Sequence, residues 1–235
     1  GQISLKDKNI LSLSLRNVNS KNYGENIVYS MAYMIKGEKY NYRINHSKGF
    51  RIPAIKELYY DFQSHPPPIM GNPDLKSTTN KYYSASAEKR IRNQAQSIEI
   101  YYNNVKNMIG TNYIYTDLNN DEDFEDEGET IITYNNFKQV DIMGLNLNYE
   151  LSNNKNSVKL IYNYTNPISN QDSPLELISK KSMRLRYRRE LIENKLNLFY
   201  NVKYAGEKFV LSPNYEYDSD ENFVDSNETM SICEG

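Results

Sequence analysis

The stretch Leu145-Asn146-Leu147-Asn148-Tyr149-Glu150-Leu151 places an apolar or aromatic side chain at every second position, with polar side chains between them. Because successive side chains of a β-strand point to opposite faces, this period of two predicts a strand with one apolar and one polar face. The same alternation recurs around residues 11–16, 29–35, 40–44, 83–87, 98–102, 158–164, 183–187 and 196–204. Helical periodicity is almost absent. The sequence therefore predicts an all-β protein of about ten strands, several of them long enough to cross a bilayer.

Composition narrows the class of protein. Of the 235 residues only 38% are hydrophobic, but 22 are tyrosine, and so many aromatic rings argue against a disordered chain. No run approaches the roughly 18 apolar residues of a membrane helix, so a helical membrane protein is excluded. A transmembrane barrel is compatible with a mean hydropathy of −0.78, because its strands keep polar residues at alternate positions. The net charge of −2 gives no reason to expect a nucleic acid partner.

The connections between the predicted strands alternate in length. Short turns are predicted at 6–9, 36–38, 92–94, 152–156 and 193–195. Long loops are predicted at 17–26, 50–80, 109–129, 166–180 and from 206 to the end. Alternation of this kind is typical of bacterial barrels, whose periplasmic turns are short and whose extracellular loops are long. We therefore expect an antiparallel up-and-down meander that forms part of a transmembrane barrel, open as given. A soluble antiparallel sheet acting as a binding or adhesion module is the alternative.

One predicted strand carries three arginines on the same side. Arg184, Arg186 and Arg188 alternate with apolar residues, and each would cost about 2–4 kcal/mol if it faced lipid near the midplane. They are therefore expected to face the lumen, either as a basic strip or as cations paired with neighbouring carboxylates. Tyrosines expected near the membrane surface, where the ring is apolar and the hydroxyl stays hydrated, are Tyr29, Tyr60, Tyr83 and Tyr204.

Two segments depart from the alternation. Gly49-Phe50-Arg51-Ile52-Pro53-Ala54-Ile55-Lys56-Glu57-Leu58-Tyr59-Tyr60 contains a proline that cannot continue an interior ladder, so the chain is expected to leave the wall there. Gly71-Asn72-Pro73-Asp74-Leu75-Lys76 contains a turn-forming string that would reverse the loop. We interpret both segments as mainly structural, with Arg51 anchoring the loop to a carboxylate or a carbonyl.

Together these segments resemble the paired boxes of TonB-dependent receptors, which usually read G-F-R-A-P-x-x-x-E-L and G-N-P-x-L-x-P-E. The residues that carry this motif here are Phe50, Arg51, Pro53, Glu57, Leu58, Asn72, Pro73, Asp74 and Leu75. The sequence departs from the pattern at Ile52, where alanine is usual, and at Ser77-Thr78, where Pro-Glu is common.

The resemblance implies active import across the bacterial outer membrane. In such receptors a barrel of 22 strands surrounds an N-terminal plug domain, because a barrel of that size is wide enough to need a plug. An energising TonB complex acts through the plug region. Residues 1–235 are accordingly expected to be a barrel fragment without plug or closing C-terminal strand. Its partners would be outer-membrane lipid, the TonB complex and an iron chelate or haem. A truncated remnant without transport activity stays open as an alternative.

His65 is the candidate ligand-binding residue. It lies between the two boxes, and in this position it resembles the histidine that haem-uptake receptors of the family carry. Imidazole is a suitable axial ligand for haem iron. Haem is thus possible as a transported ligand, beside siderophores and cobalamin, and no resident cofactor is expected.

The acidic run at 121–129 lacks the spacing of a calcium loop and is interpreted as solvated. With one cysteine and no recognisable catalytic set, neither a metal site nor an enzyme is expected.

Overall fold

The computed structural model describes residues 2–5, 8–65, 67–115, 130–167, 179–193, 195–217 and 223–233. Ten strands pair antiparallel with their neighbours in chain order and form one meandering sheet. They are β1 Gln2–Leu5, β2 Asn9–Ser20, β3 Gly24–Lys36, β4 Tyr40–Arg51, β7 Thr78–Ile91, β8 Gln94–Tyr115, β9 Thr130–Ser152, β10 Asn156–Pro167, β11 Lys181–Ile192 and β12 Leu196–Ala205. Between β4 and β7 lie α1 (Ile55–Tyr59), β5 (Asp61–Phe62) and β6 (Ile69–Met70).

The sheet is open, with β1 and β12 at its edges. The expected all-β, up-and-down antiparallel meander of about ten strands is confirmed. Within the described part of the chain, no helix has the length and apolar character needed to cross a membrane.

Cross-strand register gives the sheet two chemically different faces. Leu147 of β9 lies opposite Tyr162 of β10, which lies opposite Met183 of β11, and these side chains share what we call the apolar face. One residue along, Asn148 lies opposite Ile161 and then Arg184, on what we call the polar face. Side chains on the apolar face are exposed, for example Ile44 at 59% and Ile100 at 58%. The apolar face therefore needs a covering that the described residues do not supply.

Two neighbouring strands are about twice as long as the others. β8 has 22 residues and β9 has 23, whereas about ten are enough for a tilted strand to cross the hydrocarbon layer. They stay paired from Gln94 and Leu151 out to Tyr115 and Thr130. The ladder skips Asn107, whose φ of 52° is in the left-handed region that asparagine tolerates. We call the part of this hairpin beyond Asn107 the β8–β9 extension.

The short turns predicted at 36–38, 92–94 and 152–156 are confirmed, and those at 6–9 and 193–195 include residues outside the described part of the chain. Three of the long loops are not as predicted. β2 and β3 remain paired to Ser20 and Gly24, so the loop expected at 17–26 shrinks to a turn at 21–23. The loop expected to begin at 109 does not, because β8 continues to Tyr115; residues 116–129, with the acidic run, lie outside the described residues. The stretch expected to be loop from 206 onward contains β13 (Lys208–Tyr217) paired with β14 (Phe223–Cys233). The continuations of β2 to Ser20 and of β3 back to Gly24 were missed because mostly polar residues occupy both faces there and alternation fades.

A tyrosine crosses a glycine on the polar face. Tyr101 of β8 lies directly opposite Gly144 of β9, and its ring occupies the space that a Cβ on Gly144 would need. Its hydroxyl lies 3.1 Å from Thr165 Oγ1 on β10, the next strand. The missing side chain thus lets one ring connect three strands.

Candidate functional site

The connection between β4 and β7, residues 52–77, holds both boxes and folds back on itself. Arg51, the last residue of β4, donates from Nη1 to Glu57 Oε2 at 2.9 Å and from Nη2 to Oε1 at 3.0 Å. The Ala54 amide donates to Glu57 Oε2 at 2.7 Å, so the same carboxylate satisfies an otherwise free amide at the start of α1. Glu57 therefore joins the end of a strand to the start of the loop.

The charge of Glu57 is stabilised by these donors. Partial burial acts to raise its pKa, but hydrogen bonds from Arg51 and the Ala54 amide and the positive charges of Arg51 and Lys56 outweigh it. The pKa of Glu57 is lowered from its ordinary value of 4.5 as a result. The pair of Arg51 and Glu57, which we call the clamp, is therefore ionised throughout the neutral pH range.

The second box packs against the first. The Gly71 amide donates to Tyr60 O at 2.6 Å, and the Asn72 amide donates to Glu57 O at 2.8 Å. A Cβ at position 71 would lie 2.6 Å from the backbone nitrogens of Tyr59 and Tyr60, so only glycine fits without a shift. Asn72 Oδ1 accepts from the Asp74 amide at 2.9 Å, which closes a tight turn at Pro73.

The folded connection is fastened to the β8–β9 extension. Asn72 Nδ2 donates to Tyr134 O at 2.9 Å, and the Ile132 amide donates to Pro68 O at 2.8 Å. Asn136 Oδ1 accepts from the Lys76 amide at 2.6 Å, and its Nδ2 lies 3.0 Å from both Lys76 O and Asn107 O. Leu75 is buried to 3% exposure beside these contacts. The connection and the extension therefore form one structured unit.

The motif residues take different places in this unit. Arg51, Glu57 and Asn72 are brought into one hydrogen-bonded network. Of the remaining motif positions, those that are buried or half-buried are Phe50, Pro53, Leu58 and Leu75, and those that are exposed are Pro73 and Asp74. Asn107 and Asn136, which complete the fastening, were not predicted, because a single asparagine in a polar strand gives no signal of a long-range partner. Tyr60, expected near the membrane surface, instead ends α1 within the loop.

His65 is half-buried in the turn between β5 and β6. Its Nδ1 lies 2.8 Å from Pro67 O, an acceptor, so Nδ1 is the donor, and in the neutral imidazole Nε2 keeps its lone pair. The Phe62 ring lies 5.8 Å away, tilted by 47°. No group of three or more potential metal ligands occurs among the described residues. His65 can therefore offer one nitrogen to a ligand but does not build a metal site.

The polar face of β10–β12 carries a concentration of cations, which we call the basic strip and which consists of Lys159, Arg184, Arg186, Arg188 and Lys203. Lys159 lies 3.7 Å from Glu150. Arg188 donates to Asn197 Oδ1 at 3.3 Å and lies over the Phe199 ring. Arg184 and Arg186 form no ion pair with any described residue, so the carboxylate partners considered for the three arginines are not found in that part of the chain.

Comparison with known proteins identifies the architecture. A family model described as "TonB dependent receptor-like, beta-barrel" matches residues 2–231. No curated protein matches the sequence. The siderophore receptor PirA from Acinetobacter baumannii superposes with a TM-score of 0.64 at 15% identity, covering 88% of this chain and 32% of that one.

Two further solved structures agree with this match. A mutant of the ferric enterobactin receptor PfeA from Pseudomonas aeruginosa has a TM-score of 0.64 at 15% identity, covering 97% of this chain and 34% of its own. The FrpB iron transporter from Neisseria meningitidis has a TM-score of 0.57 at 12% identity, covering 88% and 32%. The chain therefore spans about a third of the length of these structures, and at such identities the likeness concerns the fold alone. Because the family model spans nearly the whole sequence, the chain belongs to the TonB-dependent receptor β-barrel family.

Proposed function

We propose that the chain forms part of the wall of an outer-membrane receptor that imports an anionic iron chelate. The observation that carries this proposal is the basic strip on the polar face, where Arg184 and Arg186 have no carboxylate partner among the described residues. In a barrel of this family the polar face lines the lumen and the apolar face meets lipid. A negatively charged ligand in the lumen would supply the missing counter-charge.

Both leading ligand classes are consistent with this electrostatic argument. Ferric complexes of catecholate and carboxylate siderophores carry a net negative charge, and haem bears two propionates. The solved structures that the chain resembles include receptors named for siderophores, which favours that class.

Haem is the second candidate, and His65 is the observation that favours it. The hydrogen bond from Nδ1 to Pro67 O fixes the tautomer, which is the arrangement that orients a histidine for metal binding through Nε2. His65 also lies in a connection held rigidly by Arg51, Glu57 and Asn136, so its position is defined before a ligand arrives.

Equilibrium binding tests the proposal. The full-length protein that contains this sequence is purified in detergent and titrated separately with a ferric catecholate, a ferric hydroxamate and haem. Arg184→Gln/Arg186→Gln/Arg188→Gln should weaken binding of the preferred ligand by about tenfold per arginine in ligand contact. The matched variant Lys36→Gln/Lys39→Gln/Arg92→Gln removes the same charge at the short turns and should change affinity less than about twofold.

Two results would contradict the proposal. One is equal affinity of the wild type and the arginine variant for every ferric ligand, since the strip would then play no part in binding. The other is recovery of the wild-type protein in the supernatant after ultracentrifugation without detergent, which would exclude a membrane location and favour a soluble binding module.

A further inference from the structure

A row of aromatic and histidine rings crosses the apolar face on the adjacent strands β3, β4, β7 and β8. We call this row, Tyr29, His46, Tyr83 and Tyr102, the aromatic belt. Tyr29 Oη lies 2.9 Å from His46 Nε2, and the His46 and Tyr83 rings stack at 4.3 Å with an interplanar angle of 19°. The Tyr83 and Tyr102 centroids are 6.2 Å apart. Amphipathic rings in such a row mark the boundary between hydrocarbon and headgroups.

Two lysines on the same face lie between the stacked pair of His46 and Tyr83 and the 52–77 connection. Lys48 of β4 is opposite Lys81 of β7, one same-face step beyond the stacked pair of His46 and Tyr83. Lys106 of β8 is a diagonal neighbour of Lys81, because Lys81 pairs with Asn104, two residues before it. Three lysines therefore lie close together in register on one face of three adjacent strands.

Among the described residues this arrangement has no counter-charge. Like charges directly opposite each other in a sheet are destabilising, yet none of the three lysines forms an ion pair with a described residue. By register the carboxylate nearest to Lys106 is Asp141, and it already accepts hydrogen bonds from Tyr102, Asn104 and Gln139. An anion from outside the chain would remove the repulsion.

The height of the lysines indicates where that anion comes from. One same-face step is about 7 Å along a strand, and about 5 Å along the membrane normal when the strand is tilted by 45°. The headgroup layer on each side of the hydrocarbon is roughly 5–7 Å thick. Lysines that begin at the aromatic belt and extend outward therefore place their ammonium groups at headgroup depth, on the lipid side of the wall.

We propose that Lys48, Lys81 and Lys106 form a docking surface for the anionic phosphate headgroup of a membrane lipid. The inference rests on the membrane location given under Proposed function, but it concerns the apolar face and not the lumen. A phosphate between Lys48 and Lys81 would accept hydrogen bonds from both and offset part of their charge, and Lys106 would supply a third contact, as clustered basic side chains do for anionic lipids.

Lipid retention in detergent tests this proposal on the full-length protein. Phosphatidylglycerol and phosphatidylcholine, which share acyl chains but differ in net charge, are added separately, and bound lipid is counted by native mass spectrometry. The wild type should prefer phosphatidylglycerol, and Lys48→Gln/Lys81→Gln should reduce that affinity by about 5-fold per lysine, roughly 25-fold for the pair. The matched variant Lys138→Gln/Lys203→Gln removes two exposed lysines from the polar face and should keep the preference.

Each remaining outcome counts against the docking surface. Unchanged phosphatidylglycerol affinity in Lys48→Gln/Lys81→Gln, or an equal loss in the polar-face variant, would overturn it. Displacement of the lipid by millimolar inorganic phosphate would show a site for a free ion instead. If the double variant fails to fold, Lys81→Gln alone, at an exposed position, gives the same comparison. A wild type that binds a ferric ligand but shows no lipid preference refutes this inference and leaves the proposed function standing.

Discussion

Arg51 and Glu57 meet through two parallel hydrogen bonds, 2.9 and 3.0 Å long, that join the last residue of β4 to the first turn of α1. The planar guanidinium matches the carboxylate, and this geometry makes the pair directional as well as attractive. The Arg51 side chain is 48% exposed and the Glu57 side chain 15%. Solvent therefore screens the ion pair, and its main effect is to fix the geometry of the loop.

Glu57→Gln should loosen the 52–77 connection without unfolding the sheet. Glutamine keeps one acceptor but loses the charge, so we expect local opening to become easier by about 1 kcal/mol, which is about fivefold faster amide exchange. Hydrogen exchange measured by mass spectrometry on the peptides around Ala54, Gly71 and Asn72 checks this. Glu88→Gln, which breaks the exposed pair between Arg90 and Glu88, is the matched control and should leave these peptides unchanged. Equal protection in wild type and Glu57→Gln would contradict the clamp.

Acid should open the same connection. The pKa of Glu57 is lowered in the folded protein from its ordinary value of 4.5, so the unfolded loop binds the proton more tightly. The contribution of Glu57 is therefore fully present above pH 4.5 and is lost as the pH falls through the lowered pKa. The protection factors of the amides in this connection, which correct for the slower intrinsic exchange in acid, should fall below that pH in the wild type. Glu57→Gln should remove this part of the pH dependence, and an identical profile in both proteins would exclude Glu57 as its source.

Gly71→Ala should displace the second box from the first. The added Cβ would lie 2.6 Å from backbone atoms of Leu58, Tyr59 and Tyr60, which cannot move independently of α1. We expect a cost of about 1–3 kcal/mol in docking of the connection, seen as loss of exchange protection at the Gly71 and Asn72 amides. Gly24→Asn is the control, because nothing lies within 4 Å of its Cβ and asparagine tolerates the φ of +70°. Similar effects of both substitutions would argue against close packing at Gly71.

The strands were predictable where the two faces of the sheet differ in chemistry. Leu145, Leu147 and Tyr149 alternate with polar residues for that reason, and register follows from it. Where that difference fades, as around the pairs of Asn17 with Ile27 and of Asn112 with Thr133, the sequence left no pattern that distinguishes strand from loop.

The site was predictable only in part, for a related reason. The two boxes indicated that the chain leaves the sheet at Pro53 and turns at Gly71, and both are local properties of these residues. The contacts that fasten the connection join Asn72 to Tyr134 and Lys76 to Asn136, residues about sixty positions apart. Such pairs depend on the register of β8 and β9 out to Tyr115 and Thr130, which nothing in the local sequence specifies.

Tyr101 and Gly144 should behave as one unit in a double-mutant cycle. Gly144→Ala forces the Tyr101 ring out of its place and breaks its contact with Thr165, so we expect a loss of about 1–3 kcal/mol in stability. Tyr101→Ala removes the ring first, and a methyl group at position 144 then meets open space. The two changes together should cost less than the sum of the single changes by at least about 1 kcal/mol, measured from urea unfolding in detergent. Additive effects would show that the ring does not depend on the glycine.

His65→Ala distinguishes the two ligand classes. If haem is the ligand, the lone pair on Nε2 of His65 binds the iron, because Nδ1 is already committed to Pro67 O. The wild-type protein titrated with haem should then show a shifted Soret band, and His65→Ala should lose the shift or weaken haem binding by about tenfold or more. His46→Ala is the matched control, since both His46 nitrogens are engaged, by Tyr29 Oη and Tyr82 O, on the apolar face. An identical spectrum in wild type and His65→Ala would remove haem coordination by this residue, and a ferric siderophore would remain as the ligand class that the basic strip fits.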